Sequence, residues 1–323
     1  MKDNPILILT ARGDNEIPLL TELRQKAKVV IGDSASVFNR HAIEAEIILN
    51  WSGPLELLRD VFLMSPRLRW IHSRSAGLEQ TIFPELIASN VMLTNGSGVF
   101  SPSLGEFALA AMLYFAKDFR RMIRNQMAGR WEQFDVTMLS GQTLGIVGYG
   151  SIGHAVAARA HAMEMRVLAL RRRLSQGSAQ DPFVYQTYAP EQRLEMLSHC
   201  DYVVVTLPLT EQTQGFIRET EFSAMKKGAV VINLGRGPTI DEQAMIRALS
   251  ENRLRGAALD VFDQEPLPSG HPFYTMENIL LSPHCADHTP DWLENAMRFF
   301  LKQIEEFERG ETPANIVAKA SGY

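Results

Sequence analysis

Cysteine is nearly missing from this chain. Its 323 residues include only Cys200 and Cys285, and neither sits in a C-x-x-C pair. That scarcity excludes a disulfide framework and gives no sign of a structural zinc site or other metal centre. Both thiols are expected to be buried as small apolar residues. Long hydrophobic runs are missing too: none approaches the roughly 20 residues that a bilayer-spanning helix needs. Residues 1–4 are polar and lead directly into the strand-like Ile6-Leu7-Ile8-Leu9, without the basic, apolar and small-residue regions of a leader peptide. The expectation is a soluble, cytoplasmic protein with no membrane partner. The net charge is −5, and the one dense basic cluster is Arg171-Arg172-Arg173. Nucleic acid needs a wider basic face, so it is not expected as a partner. No repeat, linker or low-complexity segment is evident.

What the chain does have is alternation. Strand-like runs fall near 6–9, 29–31, 47–49, 70–72 and 92–94, and again near 143–147, 167–170, 202–206, 229–233, 257–261 and 279–281. Helix-like runs separate them, which predicts an α/β protein with parallel sheets covered by helices. The length calls for two domains. Between the two series lies a helical stretch over about 103–130, with an apolar face of Phe107, Leu109, Ala110, Leu113, Tyr114 and Phe115. It is expected to be shared between domains or subunits. Beyond Pro290 an amphipathic helix carries Trp292, Ala296, Phe299, Phe300 and Ile304 before Gly310 ends it.

The most informative segment is Gly148-Tyr149-Gly150-Ser151-Ile152-Gly153. A buried strand precedes it, and Ile152, Val156, Ala160 and Met163 follow at helical spacing. In such a strand, turn and helix, Gly148 permits the turn and Gly150 lets the backbone approach a pyrophosphate. Gly153 lets the helix pack closely, and the helix N-terminus receives the phosphates. Three further segments each end a predicted strand, where ligands lie in open parallel sheets. One delivers Arg236 between two glycines, the second runs from Asp260 to Glu265, and the third is Ser282-Pro283-His284. An arginine offers a planar fork to a carboxylate and carbonyl, and a histidine can exchange a proton near neutral pH.

Taken in order, GYGSIG, NLGRG, LDVFDQEPLP and SPHCAD resemble the D-isomer-specific 2-hydroxyacid dehydrogenase family over nearly the whole chain, including the ending Pro313-Ala314-Asn315-Ile316-Val317 and Gly322-Tyr323. The resemblance implies a Rossmann-type doubly wound sheet (100–287) inserted into a smaller flavodoxin-like substrate domain (1–99 and 288–323). An active cleft would lie between them, in a homodimer built largely on the stretch around 103–124. It implies Arg236, Glu265 and His284 as the catalytic trio, with His284 as proton donor, Glu265 favouring its imidazolium form and Arg236 binding substrate. Asp260 would hold the nicotinamide carboxamide, and Ser75-Ala76-Gly77 would grip the substrate carboxylate. Leu207, Pro208 and Leu234, each just past a strand-like run, are assigned to the cofactor as well. Glu265 argues against the formate-oxidising branch, which is similar but has glutamine there. The absence of lysine at Ser75 and Ala76 argues against the phosphite-oxidising branch.

The expected reaction is therefore reduction of a 2-keto acid to the D-2-hydroxy acid, in the manner of glyoxylate and hydroxypyruvate reductases. The alternative is a dinucleotide-sensing co-repressor or scaffold of the same fold. NADP(H) is expected over NAD(H), although NAD(H) is admitted. Where an NAD-selective unit places an acid for the ribose hydroxyls, this chain has Arg171, with Arg172 and Arg173 beside it. Arg74 reads first as a solvated surface arginine; the alternative is a second carboxylate contact, which would bring in dicarboxylic keto acids.

Overall fold

The computed structural model describes residues 4–14, 16–172 and 181–322. Arg173 and Tyr323 lie outside the described residues. The chain divides into two compact units, Met1–Phe100 with Thr289–Tyr323, and Ser101–His288, so the second is inserted into the first.

The first unit holds β1 (Ile6–Leu9), β2 (Val29–Gly32), β3 (Ile47–Asn50), β4 (Trp70–Ser73) and β5 (Met92–Asn95). They form one parallel sheet in the order β2-β1-β3-β4-β5. Strands buried on both faces need apolar side chains at successive positions, which is why β1 and β3 are almost unbroken Ile/Leu runs. Leu7, Leu9, Ile48 and Ile71 pack on one face with Leu58 and Val61. Ile6, Ile8, Ile47 and Trp70 pack on the other against Ala296, Met297, Phe300 and Ile304 of the helix Trp292–Glu308. That face includes a buried polar knot. Trp70 Nε1 donates to Thr94 Oγ1 over 2.8 Å, His72 Nδ1 lies 2.7 Å from the same hydroxyl, and the His72 ring stacks on Phe300.

The second unit holds β6 (Thr143–Val147), β7 (Arg166–Leu170), β8 (Gln186–Tyr188), β9 (Tyr202–Val205), β10 (Ala229–Asn233), β11 (Leu254–Leu259) and β12 (Ile279–Leu281). All pairings are parallel, in the order β12-β11-β10-β9-β6-β7-β8. The order reverses between β6 and β9, the point at which a doubly wound sheet opens a crevice at the strands' carboxyl ends.

Several expectations need correction. β8 is a short edge strand whose Gln186 and Thr187 are exposed, so no apolar run announced it. β11 covers 254–259, not 257–261. Gly256 is no breaker there, because a Cβ at that position would run into the Phe115 ring. The stretch 103–130 is two helices, Ser101–Lys117 and Phe119–Met127, parted by Asp118 in the left-handed region at φ 50°. The first helix buries Leu104, Gly105, Ala108, Ala111, Met112 and Ala116, not the face read from sequence. Gly105 explains the choice: a Cβ there would lie 3.0 Å from the Ala155 carbonyl oxygen, so the helix packs on Ser151–Ala162 through its small side. Cys200 is buried and its thiol is pushed up to about 12 by burial, but Cys285 is exposed. It follows β12, the edge strand of its sheet. Among the described residues no helix is long and apolar enough to cross a membrane.

Candidate active site

The glycine loop joins β6 to the helix Ser151–Ala162. Gly148 takes φ 98°, where a Cβ would also lie 3.0 Å from Leu207, and its amide and that of Tyr149 donate to the Leu170 carbonyl. A Cβ on Gly153 would lie 2.9 Å from the Gly148 carbonyl oxygen, so only glycine lets the helix start this close to the strand. A Cβ on Gly150 would meet nothing within 4 Å, and no side chain caps the helix above it. Open space in front of uncapped amides fits a pyrophosphate, and the residues present therefore suit a dinucleotide. Leu207 and Leu234 are buried beside the loop's neighbours, and the Pro208 carbonyl accepts from Thr213 Oγ1.

Arg236, Glu265 and His284 follow β10, β11 and β12, which are adjacent in the sheet. His284 Nδ1 lies 2.6 Å from Glu265 Oε2, and Glu265 Oε1 accepts from the Phe262 amide over 2.9 Å. The Arg236 loop is braced from beneath. Asn233 Oδ1 accepts from the Gly235 amide, and Asn233 Nδ2 and Thr239 Oγ1 both donate to the Arg236 carbonyl. Both bracing residues are buried. Arg236 Nη1 donates to the Gly235 carbonyl over 2.8 Å. A Cβ on Gly237 would overlap the Phe262 carbonyl group, so that glycine is what brings the arginine loop against the glutamate loop.

His284 sits at φ 53°, a conformation that costs a non-glycine residue about 1–3 kcal/mol and needs outside support. Buried Asp260 supplies it. Its Oδ1 accepts from Ser282 Oγ at 2.5 Å and from the Cys285 and Ala286 amides at 3.0 and 3.1 Å. Burial pushes the Asp260 carboxyl up, against the opposing pull of Ser282, the two amides and His284. The carboxylate expected to face the nicotinamide is thus also the clamp on the histidine turn.

In the first unit, Ser75-Ala76-Gly77 follows β4. The Gly96 amide donates to the Ser75 carbonyl and Asn95 Nδ2 donates to the Ala76 carbonyl, at 3.2 and 2.8 Å. In a planar trans peptide the N–H points opposite the C=O, so the Ala76 and Gly77 amides are turned away from β5. Arg74, just before them, is half-buried and packs on Trp51 and Trp292, which corrects the expectation of a solvated arginine.

A family model described as D-isomer specific 2-hydroxyacid dehydrogenase, NAD binding domain, matches residues 109–286. The chain belongs to this family. It is 33% identical over 270 residues to a glyoxylate reductase of Korarchaeum cryptofilum, covering 80% of this chain and 78% of that protein. It is 27% identical over 321 residues to a D-3-phosphoglycerate dehydrogenase of Methanocaldococcus jannaschii, covering 97% of this chain and 59% of that one. Among solved structures, a D-isomer specific 2-hydroxyacid dehydrogenase of Xanthobacter autotrophicus in complex with NADPH and MES superposes with TM-score 0.82 at 26% identity, covering 98% of this chain and 99% of that one.

For a dehydrogenase of this family, one residue near the cofactor loop carries no sequence signal of its own. Asp181 Oδ2 accepts from the Tyr149 hydroxyl over 2.8 Å and lies 3.8 Å from His154 Nε2. Burial and that bond raise the Tyr149 hydroxyl above its ordinary range, while Arg171 opposes them. Asp181 is 28 residues past Gly153, so the usual spacing of about 20 does not point to it. Arg171 is half-buried at the end of β7, its amide bonded to the Tyr188 carbonyl, and Arg172 is exposed.

Proposed function

We propose that this dehydrogenase reduces a 2-keto acid to the D-2-hydroxy acid and prefers NADPH to NADH. The observation that carries the reading is the 2.6 Å His284–Glu265 pair, which follows β12 and β11, beside the β10 strand that precedes Arg236. The nicotinamide cofactor, when bound, supplies the hydride. The chain's residues manage the charge that then builds on the keto oxygen. Glu265 accepts from Nδ1–H, which fixes the ring and leaves Nε2 to hand over the proton. Arg236 offers its planar fork to carboxylate and carbonyl, polarising one while positioning the other. The Ala76 and Gly77 amides receive the substrate carboxylate. In the oxidative direction His284 takes the proton back.

Assays with glyoxylate, hydroxypyruvate, pyruvate and phenylpyruvate test the reaction class. Oxidation of reduced cofactor with at least one of them, giving the D product on chiral analysis, is expected. No turnover with any would favour a dinucleotide-sensing scaffold. NADPH preference rests on Arg171 standing where a carboxylate would otherwise repel a 2′-phosphate. Asp181 does not restore that repulsion in full, because its charge is engaged by Tyr149 and lies close to His154. Arg171→Asp should lower the NADPH/NADH ratio of kcat/KM by about one to two decades, equivalent to roughly 1.5–3 kcal/mol. An unchanged ratio would refute this assignment.

A homodimer is the form best suited to the second unit's surface. Phe119, Met122, Ile123, Met127, Val136 and Met138 are exposed, and Trp131 is 95% exposed. The segment that carries them is held in shape by Arg121, bonded to Glu132 and packed on Phe134. An ordered apolar patch of this kind marks an interface.

A further inference from the structure

The second residue of the glycine loop reaches out of that loop to hold a carboxylate. Tyr149 keeps its amide on the Leu170 carbonyl, while its hydroxyl donates to Asp181 Oδ2 at 2.8 Å. The other carboxylate oxygen, Oδ1, accepts from the Phe183 amide at 3.0 Å. Both oxygens are therefore engaged, and the turn that carries them is fixed. The Val184 amide donates to the Asp181 carbonyl, and the Tyr185 amide donates to the Val167 carbonyl of β7. The Phe183 ring lies edge-on, 5.4 Å from His154 of the helix Ser151–Ala162, and His154 Nε2 stands 3.8 Å from Asp181 Oδ2.

This carboxylate shares its tyrosine with the cation assigned to the 2′-phosphate. Arg171 follows the Leu170 carbonyl that receives the Gly148 and Tyr149 amides, and its charge acts on the same hydroxyl from which Asp181 accepts. A free carboxylate beside the end of β7 favours NAD(H) in two ways: it accepts from the ribose hydroxyls, and it repels a 2′-phosphate. A carboxylate whose lone pairs are already taken does less of both. A phenol is well suited to take them, because it donates without adding charge and its bond to an ionised oxygen is stronger than one between neutral groups. Phenylalanine would keep the ring beside Gly153 and bind nothing.

We infer that Tyr149 and Asp181 are a specificity-determining pair: the Tyr149 hydroxyl holds the Asp181 carboxylate back from the adenosine ribose and so admits a 2′-phosphate beside Arg171. This deepens the NADPH reading of the same site and rests on it.

The test is binding without turnover. Dissociation constants of NADP⁺ and NAD⁺, which differ only in the 2′-phosphate, are measured by calorimetry at one pH and ionic strength. Wild type, Tyr149→Phe, Asp181→Asn, the double variant and Arg171→Asp are compared. Asparagine keeps an oxygen for the Phe183 amide, so the turn survives the change. Tyr149→Phe should lower the preference for NADP⁺ by about threefold to tenfold, and Asp181→Asn should raise it by about twofold or more. In the Asp181→Asn background, loss of the hydroxyl should have no further effect, because no carboxylate is left to release. If Tyr149→Phe acts equally with and without that carboxylate, the ring's shape is responsible and the proposal is overturned. Should Tyr149→Phe fail to fold, as judged by its thermal transition, Asp181→Asn decides by itself: a raised preference supports the pair and an unchanged one overturns it. If Arg171→Asp lowers the preference while Tyr149→Phe and Asp181→Asn leave it unchanged, the proposal falls alone. A wild type that binds NAD⁺ more tightly, and in which Arg171→Asp changes nothing, overturns the underlying reading and the proposal together.

Discussion

The two units share one architecture and use it differently. Each is a parallel doubly wound sheet whose candidate site residues follow the carboxyl ends of its strands. In the second unit those ends present side chains with mobile protons and fixed charge: Arg236, Glu265 and His284. They are braced by buried polar partners, namely Asn233, Thr239, Asp260 and Ser282. In the first unit the ends present backbone amides and an arginine seated on indoles. The cores differ in the same sense. The second is mainly aliphatic, whereas one face of the first is built on Trp51, Trp70 and Phe300 around a histidine. Proton transfer, as proposed for the second unit, requires groups held to within tenths of an ångström by directional bonds, whereas gripping a carboxylate, as proposed for the first, requires only amide donors. On the proposed reading, the residues that follow the strand ends divide the labour between chemistry and grip.

The sharpest way to test that division is His284→Ala. Turnover should fall by about 10²–10⁴ while the thermal transition barely moves, since the side chain is 45% exposed. Wild-type turnover in this variant would remove the second unit's claim to the chemistry. Next come two glycines at matching places. Gly237→Ala pushes the Arg236 loop off Phe262 and should lower kcat by roughly tenfold to a hundredfold, whereas Gly96→Ala displaces the Arg74 carbonyl and should act chiefly on KM. Both variants acting on the same parameter would erase the distinction.

Acid stability should separate the cores. Burial lowers His72 to about 3, so the folded state refuses a proton that the unfolded chain accepts below about 6.5. Stability should therefore decline as pH falls from 6.5 towards 3, by a few kcal/mol in all, and His72→Phe should flatten that slope. Denaturant titrations across the range would show it, and equal slopes in the two proteins would refute it. The smallest expected effect is Ser282→Ala, which removes one of three donors on Asp260 Oδ1. It should cost about 1 kcal/mol of support for the histidine turn and lower kcat several-fold without changing KM.

Most of the strands are legible in the amino-acid pattern, because a strand buried on both faces must be apolar along its whole length. The glycine loop is legible for a related reason: close approach and positive φ both demand glycine, and the demand is local. Arg236, Glu265 and His284 stand out because each follows such a strand, and the fold sets Glu265 and His284 in contact. β8 is not legible in this way, because its pairing with β7, rather than its own composition, makes it a strand.

The amino-acid sequence alone determined the order of most elements, the family and most of the chemically capable residues, since periodicity, turn chemistry and motif spacing act over a few residues at a time. Tertiary structure decided which face of Ser101–Lys117 is buried, because that depends on Gly105 meeting Ala155, fifty residues away. It also decided that Asp181 faces Tyr149, that Asp260 clamps the His284 turn, and that Arg74 rests on two tryptophans. Each of these joins residues far apart along the chain, and their energies depend on distance in space rather than separation in sequence.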